Sequence, residues 1–159
     1  MAIQIKRITL EDKKTVLEIV QTLWGDEAII VHGEVFHTSE LAGLKATEGD
    51  KIIGILHYQL EEEECEILTL ASIKQKQGVG SSLIAEVEKI AKNHGCRVLN
   101  LTTTNDNLHA LGFYQRRGFH LAALYPGQIT ITRKLKPTIP EIGNDNIPIR
   151  DELRLEKNL

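Results

Sequence analysis

The alternation of apolar and polar residues divides the first half of the chain into strands around one helix. Residues 3–10, IQIKRITL, alternate and predict a first strand, and apolar residues recur at helical spacing over residues 16–24. Three more strands are predicted between residues 44 and 72, with a hairpin signal at Gly49-Asp50 and the third strand at about residues 64–71. The stretch between these parts, residues 25–43, is predicted to be rich in loops.

Helices and strands alternate in the second half. Residues 79–94 carry an apolar stripe at helical spacing, and Gly95 is placed to end that helix. Strands are predicted at about residues 96–103, 119–125 and 147–156, and a short helix at residues 108–117. Any of Asn105, Asp106 and Asn107 can cap this short helix, and Gly118 can end it, followed by an apolar contact from Phe119. Residues 126–148 are predicted to be irregular.

The order of these elements is β-α-β-β-β-α-β-α-β-β. It predicts one domain over residues 1–159, of the α/β or α+β class, built as a sheet layered with helices. It differs from the regular βαβ alternation of a doubly wound dinucleotide-binding fold.

Composition narrows the range of functions. The chain has 19 basic and 22 acidic residues and a net charge of −3, which argues against nucleic-acid binding. Its apolar runs are shorter than a membrane span, and its first residues lack the apolar core of a signal peptide. Cys65 and Cys96 lie in predicted strands and indicate free thiols in a reducing cytoplasm. The six histidines lack zinc-ligand spacing, so we expect no metal.

The turn before the second predicted helix contains Gly78 and Gly80. A helix N-terminus presents free backbone N–H groups and a positive dipole end, and glycine lets a phosphate approach the backbone. The turn lacks the lysine of a P-loop, and Leu83 stands where a dinucleotide-binding turn has its third glycine. It is therefore either an anion site of another type or a tight entry to the helix.

A second motif follows in order. The pattern N-x-x-A-x-x-F-Y-x-x-x-G-F is filled by Asn107, Ala110, Phe113, Tyr114, Gly118 and Phe119. Together with Q-x-x-G-x-G at Gln75, Gly78 and Gly80, it resembles the GNAT superfamily of acetyl-CoA-dependent N-acetyltransferases. The resemblance implies a mixed central sheet of about six to seven strands flanked by helices. Two departures are Lys76, where the family often has glycine, and Gln75 in place of the commoner arginine.

The resemblance implies a set of residues that bind acetyl-CoA. The pyrophosphate would lie on the turn made of Gln75, Lys76, Gln77, Gly78, Val79, Gly80 and Ser81. Backbone groups of Leu68 and Leu70 would meet the pantetheine arm, and Asn107 would hydrogen-bond it, or serve only as a helix cap. Tyr114 would protonate the departing thiolate as general acid, or be only a packed aromatic residue.

Two glutamates are candidates for the general base. Glu64 and Glu66 precede the glycine turn on one strand, and alternation puts them on the same face as Leu68 and Leu70. The family often uses a glutamate on this strand, and Glu64 fits that position slightly better. The alternative is that both belong to a solvated acidic edge.

Two further residues are candidates for binding the acceptor amine. His32 lies in the loop-rich stretch that borders the acceptor in this fold. Asp151 is predicted to share the inner face of the last strand with Leu153 and Leu155, where an unpaired carboxylate is costly. The acceptor itself is left open, a homodimer is expected from the resemblance, and the alternative function is a non-catalytic acetyl-CoA-binding module.

Overall fold

A computed structural model describes residues 2–73 and 78–159. In chain order its elements are β1 (Ile3–Arg7), α1 (Lys13–Trp24), β2 (Ala28–Val31), β3 (Glu34–His37), β4 (Ala42–Glu48), β5 (Lys51–Leu60), β6 (Glu64–Ser72), α2 (Val79–His94), β7 (Val98–Thr104), α3 (Leu108–Arg116), β8 (His120–Tyr125), α4 (Gln128–Leu135) and β9 (Glu152–Asn158). Within these ranges no helix is long and apolar enough to cross a membrane.

The centre of the fold is a mixed seven-stranded sheet in the order β1-β4-β5-β6-β7-β9-β8. Strands β6 and β7 are parallel and their neighbours pair antiparallel. This confirms the predicted mixed sheet of about six to seven strands. The apolar stripe of α2, including Leu83 and Val87, packs on one face in the larger core. Val16 and Val20 of α1 pack against Ile55 on the other face.

The predicted helix ends are confirmed. Gly95 follows α2 with φ 98°, the left-handed conformation that glycine adopts without steric cost. The side chain of Asn107 accepts a hydrogen bond from the backbone N–H of Ala110 (3.2 Å), so Asn107 is the cap of α3. After α3, the Phe119 N–H donates to the Tyr114 carbonyl (3.1 Å) across Gly118, whose φ is 94°. This turn brings the Phe119 ring against the Tyr114 ring.

Two predicted irregular regions contain regular structure. Residues 25–43 include the β2–β3 hairpin, which forms a separate two-stranded sheet. Its turn residues His32 and Gly33 both have positive φ, 57° and 76°, as a two-residue hairpin turn requires. Residues 126–148 include α4, in which only Ile129 and Thr132 are buried. The sequence did not predict the hairpin, because β2 and β3 are only four residues long. It did not predict α4, because the apolar stripe of that helix is narrow.

The last strand begins at Glu152, later than the predicted residue 147. The segment before it is held by side chains of the Asn105-Asp106 turn. Asn105 Nδ2 donates to the Pro148 carbonyl (2.9 Å), and its Oδ1 accepts from the backbone N–H of Asp151 (2.9 Å). Asp106 Oδ2 accepts from the Asn144 N–H (3.0 Å). These bonds hold the segment before β9 as a strap that includes a short 3-10 turn at Asn144–Asn146 and a single β-bridge between Ile142 and Pro148.

The sheet opens in the middle, between β6 and β7. The two strands pair only from Glu64↔Val98 to Ile67↔Leu101, although each continues further. At the same level the β5–β6 register shifts between His57↔Thr69 and Tyr58↔Ile67, which makes Leu68 the extra residue of a β-bulge. The bulge reverses the alternation, so Leu70 packs with the larger core, on the face opposite Glu64 and Glu66. The prediction that all four share one face was wrong.

Candidate active site

One side of this opening is a cleft of about 550 Å³ between β6, α2 and α3. Its lining includes Leu70 and Ser72 of β6, the four residues at the start of α2 (Gly78, Val79, Gly80 and Ser81), and Asn107, Ala110, Phe113, Tyr114 and Arg117 around α3. Two separate sequence motifs therefore meet in one cavity. The predicted binding residues Gln75, Lys76 and Gln77 lie outside the described residues.

The N-terminus of α2 opens into this cleft. The Ser82 N–H donates to the Gly78 carbonyl (2.9 Å) inside the helix. The N–H groups of Val79, Gly80 and Ser81 belong to the first turn of α2, where a helix has no acceptor of its own for them. Gly78 has φ 93°. A Cβ on Gly80 would lie 2.9 Å from Phe113 Cζ, which shows that α2 and α3 approach closely here. The two glycines thus have different roles: Gly78 in turning the chain, Gly80 in packing.

Arg117 adds a positive charge beside this helix end. Its Nε donates to Ser81 Oγ (2.8 Å) and its Nη1 to the Phe113 carbonyl (2.9 Å). The guanidinium also stacks over the Phe113 ring, 3.5 Å from the ring centroid. A positioned guanidinium beside the N-terminus of a helix is an arrangement suited to an anion.

A second cleft of about 290 Å³ continues on the other side of the opening. It is lined by Trp24, by Ile29, Ile30 and Val31 of β2, by residues 67–70 of β6, by residues 101–103 of β7, and by Asn107, Ala110 and Tyr114. Leu70, Asn107, Ala110 and Tyr114 line both clefts. The two clefts therefore form one passage through the sheet, with Tyr114 and Asn107 at its middle.

Tyr114 is buried at this middle point, with 8% of its surface exposed. Burial raises the pKa of its phenol well above the ordinary value, and the Arg117 cation opposes the shift only in part. The phenol is therefore protonated at neutral pH. Its ring is held edge-on between Phe113 (5.3 Å) and Phe119 (5.4 Å).

The hairpin tip brings His32 to Glu66. His32 Nε2 lies 2.8 Å from Glu66 Oε2 and 3.3 Å from Thr102 Oγ1, and its ring meets Tyr125 edge-on at 6.2 Å. The side chain of Glu66 is 15% exposed. Glu64 is 41% exposed and pairs with Arg154 Nη2 at 3.1 Å. The structure thus joins two predicted site residues, His32 and Glu66, and gives Glu64 a charge partner instead.

Glu152 of β9 is a buried carboxylate on the face of that strand opposite Leu153 and Leu155. It is 4% exposed, and its Oε1 has no hydrogen-bonding partner in the described ranges. Desolvation raises the pKa of Glu152, Glu66 raises it further, and His32 opposes the shift. It stands opposite Thr104 in the β7–β9 register, on the same face of the sheet as Thr102. That face is enclosed by the hairpin, which the sequence analysis did not predict.

Asp151 is not part of this group. Its Oδ1 accepts a hydrogen bond from the Gly127 N–H (2.8 Å), at the start of α4. Because β9 begins one residue later, the predicted inward position of Asp151 within that strand was wrong. The carboxylate instead fixes the start of α4.

Comparison with known proteins agrees with this geometry. The family model described as Acetyltransferase (GNAT) family matches residues 9–119. The chain belongs to the GNAT acetyltransferase family. Protein YxbD of Bacillus subtilis (strain 168) is 37% identical over 148 residues, covering 92% of this chain and 93% of YxbD.

Solved structures support the GNAT fold over nearly the whole chain. An IAA acetyltransferase from Bacillus cereus ATCC 14579 superposes with a TM-score of 0.73 at 22% identity, covering 99% of this chain and 100% of that one. A GNAT family acetyltransferase from Elizabethkingia anophelis, with acetyl-CoA bound, superposes with a TM-score of 0.71 at 23% identity, covering 99% and 98%. The GNAT resemblance and the fold class predicted from the motifs are confirmed.

Replacing Glu152 by Gln should stabilise the protein at about pH 7. Because the pKa of Glu152 in the folded protein lies above the ordinary 4.5, the folded protein binds this proton more tightly than the unfolded chain does. The free energy of unfolding therefore falls as the pH rises from the pKa of the unfolded chain to that of the folded protein. We expect Glu152→Gln to gain ~1 kcal/mol in urea unfolding at neutral pH, and the gain to shrink near pH ~4. The exposed Glu62→Gln is the control. A Glu152→Gln variant less stable than wild type at neutral pH would contradict this account.

Proposed function

We propose that this GNAT family member transfers the acetyl group of acetyl-CoA to a primary amine. The observation that carries the proposal is the passage through the sheet, with the start of α2 and Arg117 on one side and the His32–Glu66 pair beside the cleft on the other. Tyr114 lies between them. The acetyl-CoA bound to the Elizabethkingia anophelis relative of the same fold supports the choice of cosubstrate.

The first cleft is suited to the extended shape of acetyl-CoA. Backbone N–H groups of Val79, Gly80 and Ser81, together with Arg117, would bind the pyrophosphate. Beyond Ile67, β6 no longer pairs with β7, and the backbone there can pair with the amides of the pantetheine arm as an added strand would. Asn107 Oδ1 is used in capping α3, which leaves its Nδ2 as the donor toward that arm.

The residues at the middle and at the second cleft would carry the chemistry. Glu66 would accept the proton of the acceptor ammonium, while His32 holds the carboxylate in place. The amine nitrogen then bonds to the thioester carbonyl carbon and the C–S bond breaks. Tyr114 would donate its proton to the departing sulfur, because burial keeps its phenol protonated at neutral pH. The nitrogen must still lose a second proton to become a neutral amide, and the phenolate of Tyr114 would accept that proton. Between Glu64 and Glu66, the geometry favours Glu66 as the base.

A non-catalytic acetyl-CoA-binding module is the alternative. It would need the first cleft but not an organised pair in the second. The 2.8 Å contact of His32 with Glu66 favours the enzyme, because the positive φ of His32 is uncommon for a residue other than glycine and places an imidazole at this carboxylate.

Replacing Tyr114 by Phe tests the enzyme against the module. We expect kcat for acetyl transfer to fall about 100-fold, because the general acid is lost, while the Kd of acetyl-CoA changes little. The measurements are thiol release from acetyl-CoA with an accepted amine, and calorimetric binding. Tyr58→Phe, in the buried core away from both clefts, is the matched control. Equal kcat values for wild type and Tyr114→Phe would remove Tyr114 from the mechanism.

Replacing His32 by Asn removes the imidazole while keeping the hairpin turn, so it tests the role of the side chain alone. Asn-Gly is a favoured pair for a hairpin turn with two positive φ angles, so His32→Asn should keep the melting temperature or raise it. It removes the Nε2 contact with Glu66, and we expect kcat to fall about tenfold with an unchanged KM for acetyl-CoA. In a Glu66→Gln variant, adding His32→Asn should lower kcat little further, because the two residues act together. His37→Asn, at the other end of the hairpin, is the control.

Additive losses from His32→Asn and Glu66→Gln would show that the two side chains act independently. Unchanged kcat in His32→Asn would mean that Glu66 needs no positioning by the hairpin.

A further inference from the structure

The acceptor side of the passage has an apolar wall. Ile29, Ile30 and Val31 of the hairpin and Trp24 at the end of α1 line the second cleft, and Trp24 is 36% exposed. Apolar surface of this kind is stabilised when an apolar group of a ligand covers it. The β2 strand therefore offers the acceptor a hydrocarbon surface, while the rest of the cleft lining includes polar side chains: Thr69, Thr102, Thr103, Asn107 and Tyr114.

Two carboxylates lie beside the second cleft, although neither is part of its lining. Glu66 contacts His32 at the hairpin tip, and His32 Nε2 lies 3.3 Å from Oγ1 of Thr102, which does line the cleft. The buried Glu152 lies close enough to interact with both His32 and Glu66. An ammonium group brought to Glu66 would meet a negative local field, because opposite charges attract strongly where water is excluded.

The described lining of this cleft lacks basic side chains that could bind an anionic acceptor. Among the described residues, no Lys or Arg lines the second cleft. Arg154, on the same face of the sheet, is held by Glu156 Oε2 at 2.7 Å and by Glu64 Oε1 at 3.1 Å. An acceptor carboxylate in this cleft would be desolvated without a cationic partner, which is costly.

The space is also small. The second cleft holds about 290 Å³, and part of it, around Leu70, Asn107, Ala110 and Tyr114, is shared with the first cleft that acetyl-CoA would fill. The remaining room suits a small molecule with a short apolar group rather than a long side chain held in extended peptide backbone.

We infer that the acceptor is a small monoamine with a short apolar group next to its amine. Its ammonium meets Glu66 and its hydrocarbon part lies on the hairpin wall formed by Ile29, Ile30 and Val31. Amino acids, whose carboxylate finds no basic partner, and diamines, whose second ammonium would be buried on the apolar wall, are disfavoured. This inference rests on the proposed acetyl transfer.

A panel of acceptors with one carbon chain tests it. n-Pentylamine, 1,5-diaminopentane, 5-aminopentanoate and 5-amino-1-pentanol each have five carbons and a primary amine at one end, and differ only at the other end. Because both ends of the diamine can react, its rate is compared per amine. A peptide with a free N-terminus and lysine is added. We expect n-pentylamine to have the highest kcat/KM, by about tenfold or more over the diamine and the aminopentanoate, since a polar or charged end on an apolar wall loses its hydration.

A matched pair of variants tests whether the acceptor contacts the apolar residues of the hairpin. Val31→Thr puts a hydroxyl on the cleft lining with little change of shape. Val35→Thr makes the same change on the neighbouring strand, at a side chain that is 45% exposed and outside the second cleft. We expect Val31→Thr to lower kcat/KM for n-pentylamine roughly fivefold and to reduce its advantage over 5-amino-1-pentanol, and Val35→Thr to change neither. Thermal unfolding of both variants shows whether the hairpin is intact.

Each outcome decides the inference. Preference for the diamine, the aminopentanoate or the peptide overturns the assigned class but leaves acetyl transfer standing. Equal rates for n-pentylamine and 5-amino-1-pentanol, or equal effects of the two valine variants, overturn the apolar wall. Acetyl-CoA binding without acetylation of any amine, peptide amines included, contradicts the proposed transfer as well.

Discussion

The functional geometry of this protein depends on the separation of two parallel strands. β6 and β7 pair over four residues and then diverge, at the level where Leu68 bulges out of the β5–β6 register. In a continuous sheet the backbone groups of β6 and β7 would hydrogen-bond to each other along their whole length, and no passage would connect the two faces. The divergence instead opens a passage from one face of the sheet to the other. The proposed cosubstrate can therefore enter from the α2 and α3 side, and the acceptor from the side of the hairpin.

Each end of the passage is fixed by turns that need particular backbone conformations. On one side, Gly78 turns the chain into α2, and the turn after α3 across Gly118 packs Phe119 against Tyr114. On the other side, the His32-Gly33 turn presents an imidazole to Glu66. The strap before β9 is held by Asn105 and Asp106 and lies outside both clefts. Rigid turns thus position side chains that lie far apart in the sequence.

The sequence predicts those features of the fold and the site that depend on neighbouring residues, and misses those that depend on contacts between distant parts of the chain. The caps at Gly95, Asn107 and Gly118 are local, because each depends on a few neighbouring residues, and they were predicted correctly. The meeting of His32 with Glu66, 34 residues apart, is a tertiary contact that no local pattern contains. The hairpin around His32 had a weak signal in its β-branched run and its glycine. Glu152 could not be recognised as buried, because the residues that cover it belong to that hairpin.

The most direct test of the account is calorimetric binding of acetyl-CoA to wild type and to Gly80→Glu, with NADH and ATP as control ligands. A side chain at position 80 must displace Phe113, which lies 2.9 Å from where its Cβ would be, and a carboxylate there would repel a pyrophosphate. The account predicts micromolar binding of acetyl-CoA to wild type, its loss in the variant, and weaker binding of both controls. Equal binding to wild type and variant, or no binding of acetyl-CoA, would contradict the assignment of the first cleft.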